Sequence, residues 1–354
     1  MPLLPLVGHT ALRQRLDDQV ARGSLPASLL LQGPPGIGKQ RLALWLGQRL
    51  LCTGDGPPCG ECQHCKYALE GVHPDLRWYF PLPHLKGSSD VALDDVAREC
   101  AEAIAERVAA HGLYARADGS HGIYVYVSRL IVQQSVKTPA MAARKVFVVG
   151  EAERMVPQAS SPDAANAFLK LLEEPPADST IILTSSEPGS LLPTIRSRVV
   201  SIRVAPLPDA EVRTFLSHPA AADAAGKGAT MDELVALAHG APGALIGATN
   251  REATLVRARA MLAAARGGRE QMLRTAFVQG GSKARGAFSD VLDALTVLLH
   301  ESARDATAAG DEPRAVAAAK AIQRVEVAKR SAEGNITPQL VSAQLLRELA
   351  EVGA

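Results

Sequence analysis

Apolar residues in this chain alternate between short unbroken runs and runs with helical spacing. Leu29-Leu30-Leu31, Val146-Phe147-Val148-Val149 and Ile181-Ile182-Leu183 are too short for helices and rich in branched side chains, which predicts buried strands. Leu76–Phe80, after the turn His73-Pro74-Asp75, and Val199–Val204 complete a set of five. Between them, Leu12–Val20, the four-residue repeat Leu42, Leu46, Leu50, and the stretch Ser160–Pro176 read as helices, the last starting with the capping residues Ser160-Ser161 and stopped by prolines. Strands alternating with helices predict an α/β fold built on a parallel sheet covered on both faces. From Pro81 to Thr138 the pattern weakens into a helix over about 89–111, a turn at 118–122 and an aromatic, β-branched run at Ile123–Val127. No chemistry attaches to that segment.

Beyond Pro206-Leu207-Pro208 the strands stop. Short helices over 209–248 are interrupted at 220–228 and 240–243. From Arg251 the chain is rich in Ala, Arg and Leu. Phe288, Leu292, Leu295 and Leu299 recur at helical intervals, and Ile336, Leu340, Leu345, Leu346 and Leu349 mark a last helix after Thr337-Pro338. This part predicts a helical bundle. Its basic residues, Arg257, Arg259 and Arg266 among them, read as a solvated helix face.

The first chemistry follows the first strand. Gly33-Pro34-Pro35-Gly36-Ile37-Gly38-Lys39-Gln40 is a P-loop pattern, in which Gly33, Gly36 and Gly38 let backbone N–H groups surround a polyphosphate and Lys39 reaches its outer phosphates. The pattern asks for Ser or Thr next, to ligate Mg²⁺, and this chain has Gln40. The strand Lys145–Glu151 should then end in a metal-binding aspartate and a water-polarising glutamate, but its last two residues read Gly150-Glu151. Both metal positions are lost. ATP or ADP can still be accommodated, while hydrolysis is not expected. Glu151 is either the relic of the catalytic base or the N-terminal acid of a short helix over 151–155. Leu44 and Trp45 in the following helix read as core.

Cysteine supplies the second chemistry. Cys52, Cys59, Cys62 and Cys65 fall within one short stretch, with overlapping C-x-x-C steps, and can close a tetrahedron around a structural Zn²⁺. His64 is an alternative ligand to one of them. Cys100, in a helical pattern with no His-Asp partner pattern, reads as a small buried side chain.

Composition bounds these readings. The chain has 354 residues, 47% of them hydrophobic, enough for two or three domains with substantial cores. With 38 basic and 37 acidic residues the net charge is +1, which gives no electrostatic reason to expect strong autonomous binding to nucleic acid. Residues 1–6 carry no basic n-region or cleavage site, and no apolar run could span a bilayer, so a cytoplasmic location without membrane contact is expected.

Taken together, the P-loop, the four-cysteine knuckle, the Asn166–Pro176 segment and the dipeptide Ser197-Arg198 resemble the bacterial clamp-loader AAA+ proteins. The resemblance implies an AAA+ P-loop domain over 1–205, with the zinc knuckle at 52–65 and an unassigned insertion at about 81–130. It further implies a helical lid over 206–249 and a C-terminal helical collar over 250–354 that joins subunits into a ring. Within that family a hydrolysing gamma/tau type and a non-hydrolysing delta-prime type share this layout. Gln40, Gly150 and Gly243, the last at the lid position of a sensing arginine, all depart on the chain's own nucleotide site. Arg198, which the resemblance makes an arginine finger acting in a neighbour's ATP site, is kept, although Val199 replaces the family's cysteine. Ser185 or Ser186 falls at the position of a polar sensor. The pattern is that of the delta-prime type, whose implied partners are gamma/tau and delta subunits, the sliding clamp and, through the assembly, primer-template DNA.

Overall fold

The structure, a computed structural model, describes residues 2–85, 91–114, 121–155, 162–225, 230–246, 251–278, 285–333 and 336–353. The chain forms two compact units, 1–248 and 249–354.

In the first unit, α1 (Thr10–Ala21) precedes β1 (Ser28–Gln32), and α2 (Lys39–Leu51) follows the glycine-rich loop. Next come α3 (Gln63–Leu69), β2 (Leu76–Tyr79), β3 (Leu82–Pro83), α4 (Leu93–Ala109), β4 (His121–Gly122) and α5 (Val125–Ser135). Strand β5 (Lys145–Val149) leads to α6 (Pro162–Glu173), β6 (Ser179–Ser185), the short α7 (Pro193–Arg196) and β7 (Val200–Arg203). Five strands form the expected parallel sheet, in the order β2-β5-β6-β1-β7. All residues of β5 and β6 are buried, as inner strands of a doubly covered sheet must be, whereas edge strand β7 buries only Ile202. The capping residues expected at Ser160-Ser161, and most of the turn expected at 118–122, lie outside the described residues.

The segment with the weak pattern joins the main core. Val96 and Cys100 from α4, and Val127, Leu130 and Ile131 from α5, are buried in the same cluster as the sheet. The β-branched run Ile123–Val127 does not extend as a strand: Tyr124 is the N-cap of α5, and Tyr126 and Val127 lie inside the helix. Burial of Tyr126, Val127, Leu130 and Ile131 on one helical face overrides their local β-propensity.

Asp75 closes a turn before β5. Its Oδ1 accepts from the Ala140 N–H at 2.6 Å, and its Oδ2 from Met141 and Ala142, each at 2.8 Å. Burial alone would raise this carboxyl, but the three backbone donors hold it below the ordinary aspartate range. After the sheet, α8 (Asp209–Leu216), α9 (Pro219–Ala225), α10 (Met231–Ala238) and the 3₁₀ turn Pro242–Leu245 gather a small core of their own around Val212, Leu216, Val235 and Leu245.

The second unit consists of α11 (Arg251–Ala265), α12 (Arg269–Val278), α13 (Arg285–Ala308), α14 (Glu312–Glu333) and α15 (Pro338–Glu351). Phe288, Leu292, Leu295 and Leu299 are buried along α13 as their spacing predicts. In α15 the buried stripe is Val341, Leu345, Leu346 and Leu349, while Ile336 and Leu340 are exposed. Leu340 is one residue, about 100° of helix, off the stripe that Val341 begins. No helix among the described residues is long and apolar enough to cross a membrane.

Candidate functional site

The P-loop lies where the sequence places it, at the end of β1, with Gly38 as the left-handed N-cap of α2. Its polar groups bond to the protein itself. Lys39, 7% exposed, donates from Nζ to the Gly33 carbonyl at 2.8 Å, the Pro34 carbonyl at 2.7 Å and Ser186 Oγ at 2.9 Å. An ammonium has three N–H donors, and these are three acceptors. Of the two candidate sensor serines it is Ser186 that meets Lys39, while Ser185 Oγ accepts from the Glu187 N–H at 3.1 Å.

The metal half of the cleft is filled in the same way. Gln40 Oε1 accepts from Trp78 Nε1 at 3.0 Å, Tyr114 OH at 3.1 Å and Arg107 Nη1 at 3.4 Å, and its Nε2 donates to Glu151 Oε1 at 3.5 Å. Gly150 is matched to this arrangement, because a Cβ there would stand 2.4 Å from the Gln40 amide carbon and oxygen. An aspartate at 150 and the glutamine at 40 cannot coexist without movement. The Arg107 guanidinium carbon lies 3.3 Å from the centre of the Phe80 ring and 3.7 Å from that of Tyr114. Burial lowers the Arg107 pKa and pushes the Tyr114 phenol up to about 12, so Tyr114 stays a neutral donor.

Glu151 sits at φ 51°, ahead of a 3₁₀ turn of only three residues, Ala152–Arg154. The helix expected over 151–155 is therefore absent, and with it the helix-dipole explanation of this acid. Its carboxylate instead meets Gln40 and, through Oε2, Arg154 Nε at 3.2 Å.

The small helical core closes over the loop. The Gly243 N–H donates to the Gly36 carbonyl at 2.9 Å, and a Cβ on Gly36 would stand 2.5 Å from the Ala244 nitrogen. A Cβ on Gly243 would in turn meet the Gly36 oxygen at 2.8 Å. The position expected to carry a sensing arginine thus has its backbone against the P-loop, with no space for a side chain in that direction.

The cysteine cluster is assembled by the end of α2 and the start of α3. The sulfurs of Cys52, Cys59, Cys62 and Cys65 all lie within 4.8 Å of one another. Cys52 and Cys62 are 3.8 Å apart and Cys59 and Cys65 4.0 Å, far beyond a disulfide bond. Backbone N–H groups of Cys59 and Cys62 point at the sulfurs of Cys52 and Cys59, each at 3.3 Å. Backbone donors from Cys62 and Glu61 lower the Cys59 thiol. At Cys62 burial is outweighed by donors from Thr53 and Cys65, and the thiol falls to about 5, while burial pushes Cys65 up to about 12. The four residues can hold a metal ion. His64 is not among them: its Nδ1 pairs with His73 Nε2 at 2.9 Å. Because His73 Nδ1 accepts from the Asp75 N–H at 2.9 Å, it is His73 Nε2 that donates to His64.

Arg198 stands apart from the cleft, just after α7. Its Nε donates to Glu173 Oε2 at 3.0 Å, and its Nη1 to the Thr194 carbonyl at 3.0 Å and Ser197 Oγ at 3.2 Å. Cys100 is a buried core residue, and Trp45 is buried with the Arg13 guanidinium 4.9 Å from its ring centre.

Sequence reasoning misses Trp78, Arg107 and Tyr114 as cleft residues. Trp78 carries a signal, the aromatic end of a strand beside a P-loop. Arg107 and Tyr114 carry none, because only the path of the segment after β2 brings them to Gln40.

The family model described as "DNA polymerase III, delta subunit" matches residues 8–208. The chain is 33% identical over 221 residues to DNA polymerase III subunit delta' of Pseudomonas aeruginosa, covering 60% of this chain and 52% of that protein. It is 31% identical over 224 residues to subunit delta' of Escherichia coli, covering 62% and 53%. A subunit gamma/tau of Mycobacterium tuberculosis is 30% identical over 216 residues, covering 60% and 30%. The chain spans about half the length of these delta' relatives.

Proposed function

This chain belongs to the family described as DNA polymerase III, delta subunit, and from that membership we propose that it works as a delta-prime-type clamp-loader subunit in the cytoplasm, without turning over nucleotide itself. In this reading the helical units at 206–249 and 250–354 act as lid and collar. The collar places the chain in a ring with gamma/tau and delta subunits, and the ring opens the sliding clamp and releases it on primer-template DNA. Arg198 reaches the ATP bound by the neighbouring subunit and stabilises charge developing on its γ-phosphate.

The observation that carries the reading is the pairing of Gln40 with Gly150. Where a hydroxyl and a carboxylate would hold Mg²⁺, a glutamine amide engages Trp78, Tyr114, Arg107 and Glu151 and occupies the space an aspartate needs. Arg198, by contrast, is bonded to none of the cleft residues named above. A second reading, a gamma/tau-like ATPase, draws on the intact Gly33–Lys39 pattern and on the similarity to a gamma/tau subunit.

One experiment separates the two: the DNA-stimulated ATPase rate of the complex reconstituted with partner subunits, comparing Arg198→Ala with Lys39→Ala. The delta-prime reading expects a sharp loss for Arg198→Ala and little change for Lys39→Ala. The reverse result makes the chain a motor.

The metal of the cysteine cluster is, in this reading, zinc. A Zn–S bond of about 2.3 Å places tetrahedral sulfurs about 3.8 Å apart, which the Cys52–Cys62 and Cys59–Cys65 separations already approach. With four thiolates and no open position such an ion would stabilise the fold without taking part in chemistry. One equivalent of zinc by elemental analysis, lost in Cys62→Ser, is the expected result.

A further inference from the structure

We propose that Glu173 is a positioning residue for the Arg198 finger, fixing the Nε side of the guanidinium so that Nη2 is presented to the neighbouring subunit's nucleotide. The proposal rests on the trans-acting reading of Arg198 and assigns the device that aims it.

A guanidinium carries five N–H donors in a rigid plane. Three are engaged within the chain: Nε–H by Glu173 Oε2, and the two on Nη1 by the Thr194 carbonyl and Ser197 Oγ. The two N–H groups of Nη2 have no partner among the described residues. They diverge by about 120° in the guanidinium plane, so Nη2 is the one nitrogen left to meet the oxygens of a phosphoryl group. An arginine free at all five donors would sample many rotamers and would have to be ordered at the moment of reaction. One anchored at three donors has lost that freedom beforehand.

The place of Glu173 supports a role beyond stability. It is the last residue of α6, where the helix dipole disfavours a carboxylate, and Pro175-Pro176 forbids continuation of the helix. Its side chain is 57% exposed, so the ion pair contributes little to folding. Anchoring by Glu173 is nevertheless directional. Thr194 and Ser197 sit on the same short segment as Arg198, whereas Glu173 belongs to another element and ties the guanidinium to the end of α6.

The test is a double-mutant cycle in the reconstituted complex, reading kcat and KM for ATP with DNA present. Glu173→Ala is expected to lower kcat roughly tenfold, with a smaller change in KM, on the scale of a misaligned catalytic contact. Glu173→Gln, which keeps an acceptor but loses the charge, should fall between. In the Arg198→Ala background, Glu173→Ala should have no further effect, and the melting temperature of the isolated chain should not move. An equal loss in both backgrounds, or no loss with Arg198 present, overturns the positioning role and leaves the finger intact. If Arg198→Ala itself is without effect, the trans-acting reading fails and this inference with it. Should Glu173→Ala misfold, the Glu173→Gln arm of the same cycle decides.

Discussion

The P-loop cleft and the Arg198 corner belong to the same sheet unit, yet their polar atoms are in opposite states. In the cleft, Lys39 meets three acceptors inside the chain and Gln40 takes three donors. At the corner, Arg198 is anchored at three donors, and its Nη2 has no partner among the described residues. Internal closure of a polar site adds to stability and removes capacity for a ligand, because a bound phosphate would have to replace bonds already made. An anchored side chain with one open nitrogen does the reverse: it contributes little to the fold and, on the trans-acting reading, is prepared for a partner. The two regions should therefore respond to mutation in different observables, the cleft in stability and the corner in activity of the assembly.

The largest effect expected is on activity. Arg198→Ala should lower the ATPase rate of the complex by roughly 10³-fold, the low end of the range for arginine fingers, with no change in the chain's melting temperature. Lys39→Ala should leave that rate within a factor of two of wild type, by the order-of-magnitude logic that uninvolved residues do not alter transition-state binding, and should destabilise the chain. If Lys39→Ala instead lowers activity and spares stability, the contrast collapses.

Next in size is Gln40→Ala, which leaves the part-buried donors of Trp78, Tyr114 and Arg107 without their shared acceptor. A loss of about 3 kcal/mol in unfolding free energy follows from the cost of unsatisfied buried donors, measurable by urea denaturation of the full chain. Activity of the complex should persist under conditions where the variant remains folded.

Gly150→Asp sharpens the same point by coupling. Alone, the new side chain collides with the Gln40 amide, at an expected cost of about 1–3 kcal/mol typical of overpacking. Combined with Gln40→Thr it regains space, so the double variant should be more stable than the sum of the single effects by about 1 kcal/mol, within the range for contacting residues. The double variant carries both metal ligands of an ordinary P-loop site. It should still show no ATPase activity by itself, because Gly243, where the resemblance expects a sensing arginine, has its backbone bonded to Gly36.

The legible and illegible parts of this molecule divide along chain distance. Unbroken apolar runs at Leu29–Leu31, Val146–Val149 and Ile181–Leu183 mark the sheet, because strands buried on both faces can contain little else. The cysteine spacing brings four thiols together within one short stretch, where local geometry decides the outcome. Gln40, Gly150 and Gly243 stand out as departures from a motif, but the motif cannot say what replaces the missing ligands. The replacement comes from Trp78, Arg107 and Tyr114, which share no sequence pattern with the P-loop and reach it only by tertiary packing. At Ile123–Val127 local composition favours a strand, and burial of one helical face prevails. In α15, period-based reading finds the helix and places its stripe one residue early at Leu340.

The smallest effect concerns a node that is closed like the cleft but lies outside it. Asp75 accepts one backbone N–H at Oδ1 and two at Oδ2, and these donors hold its folded-state pKa below the ordinary value of 3.8. A folded pKa that is depressed contributes stability above the unfolded value and loses it as pH falls through the folded one. Asp75→Asn can keep an oxygen toward Met141 and Ala142, but then turns its amide NH₂ toward the Ala140 N–H, donor against donor. At neutral pH the substitution should cost about 2 kcal/mol, the scale of a charge-assisted hydrogen bond. Below about pH 4 the gap between wild type and variant should narrow, as Asp75 in the wild type takes up its proton and gives up the same bonds. Denaturation midpoints of both proteins across this range measure the gap directly, while the ATPase rate of the complex at neutral pH should not distinguish them. A variant that lowers that rate as strongly as Arg198→Ala, with stability intact, would show that closed polar nodes in this unit also govern the neighbour's site.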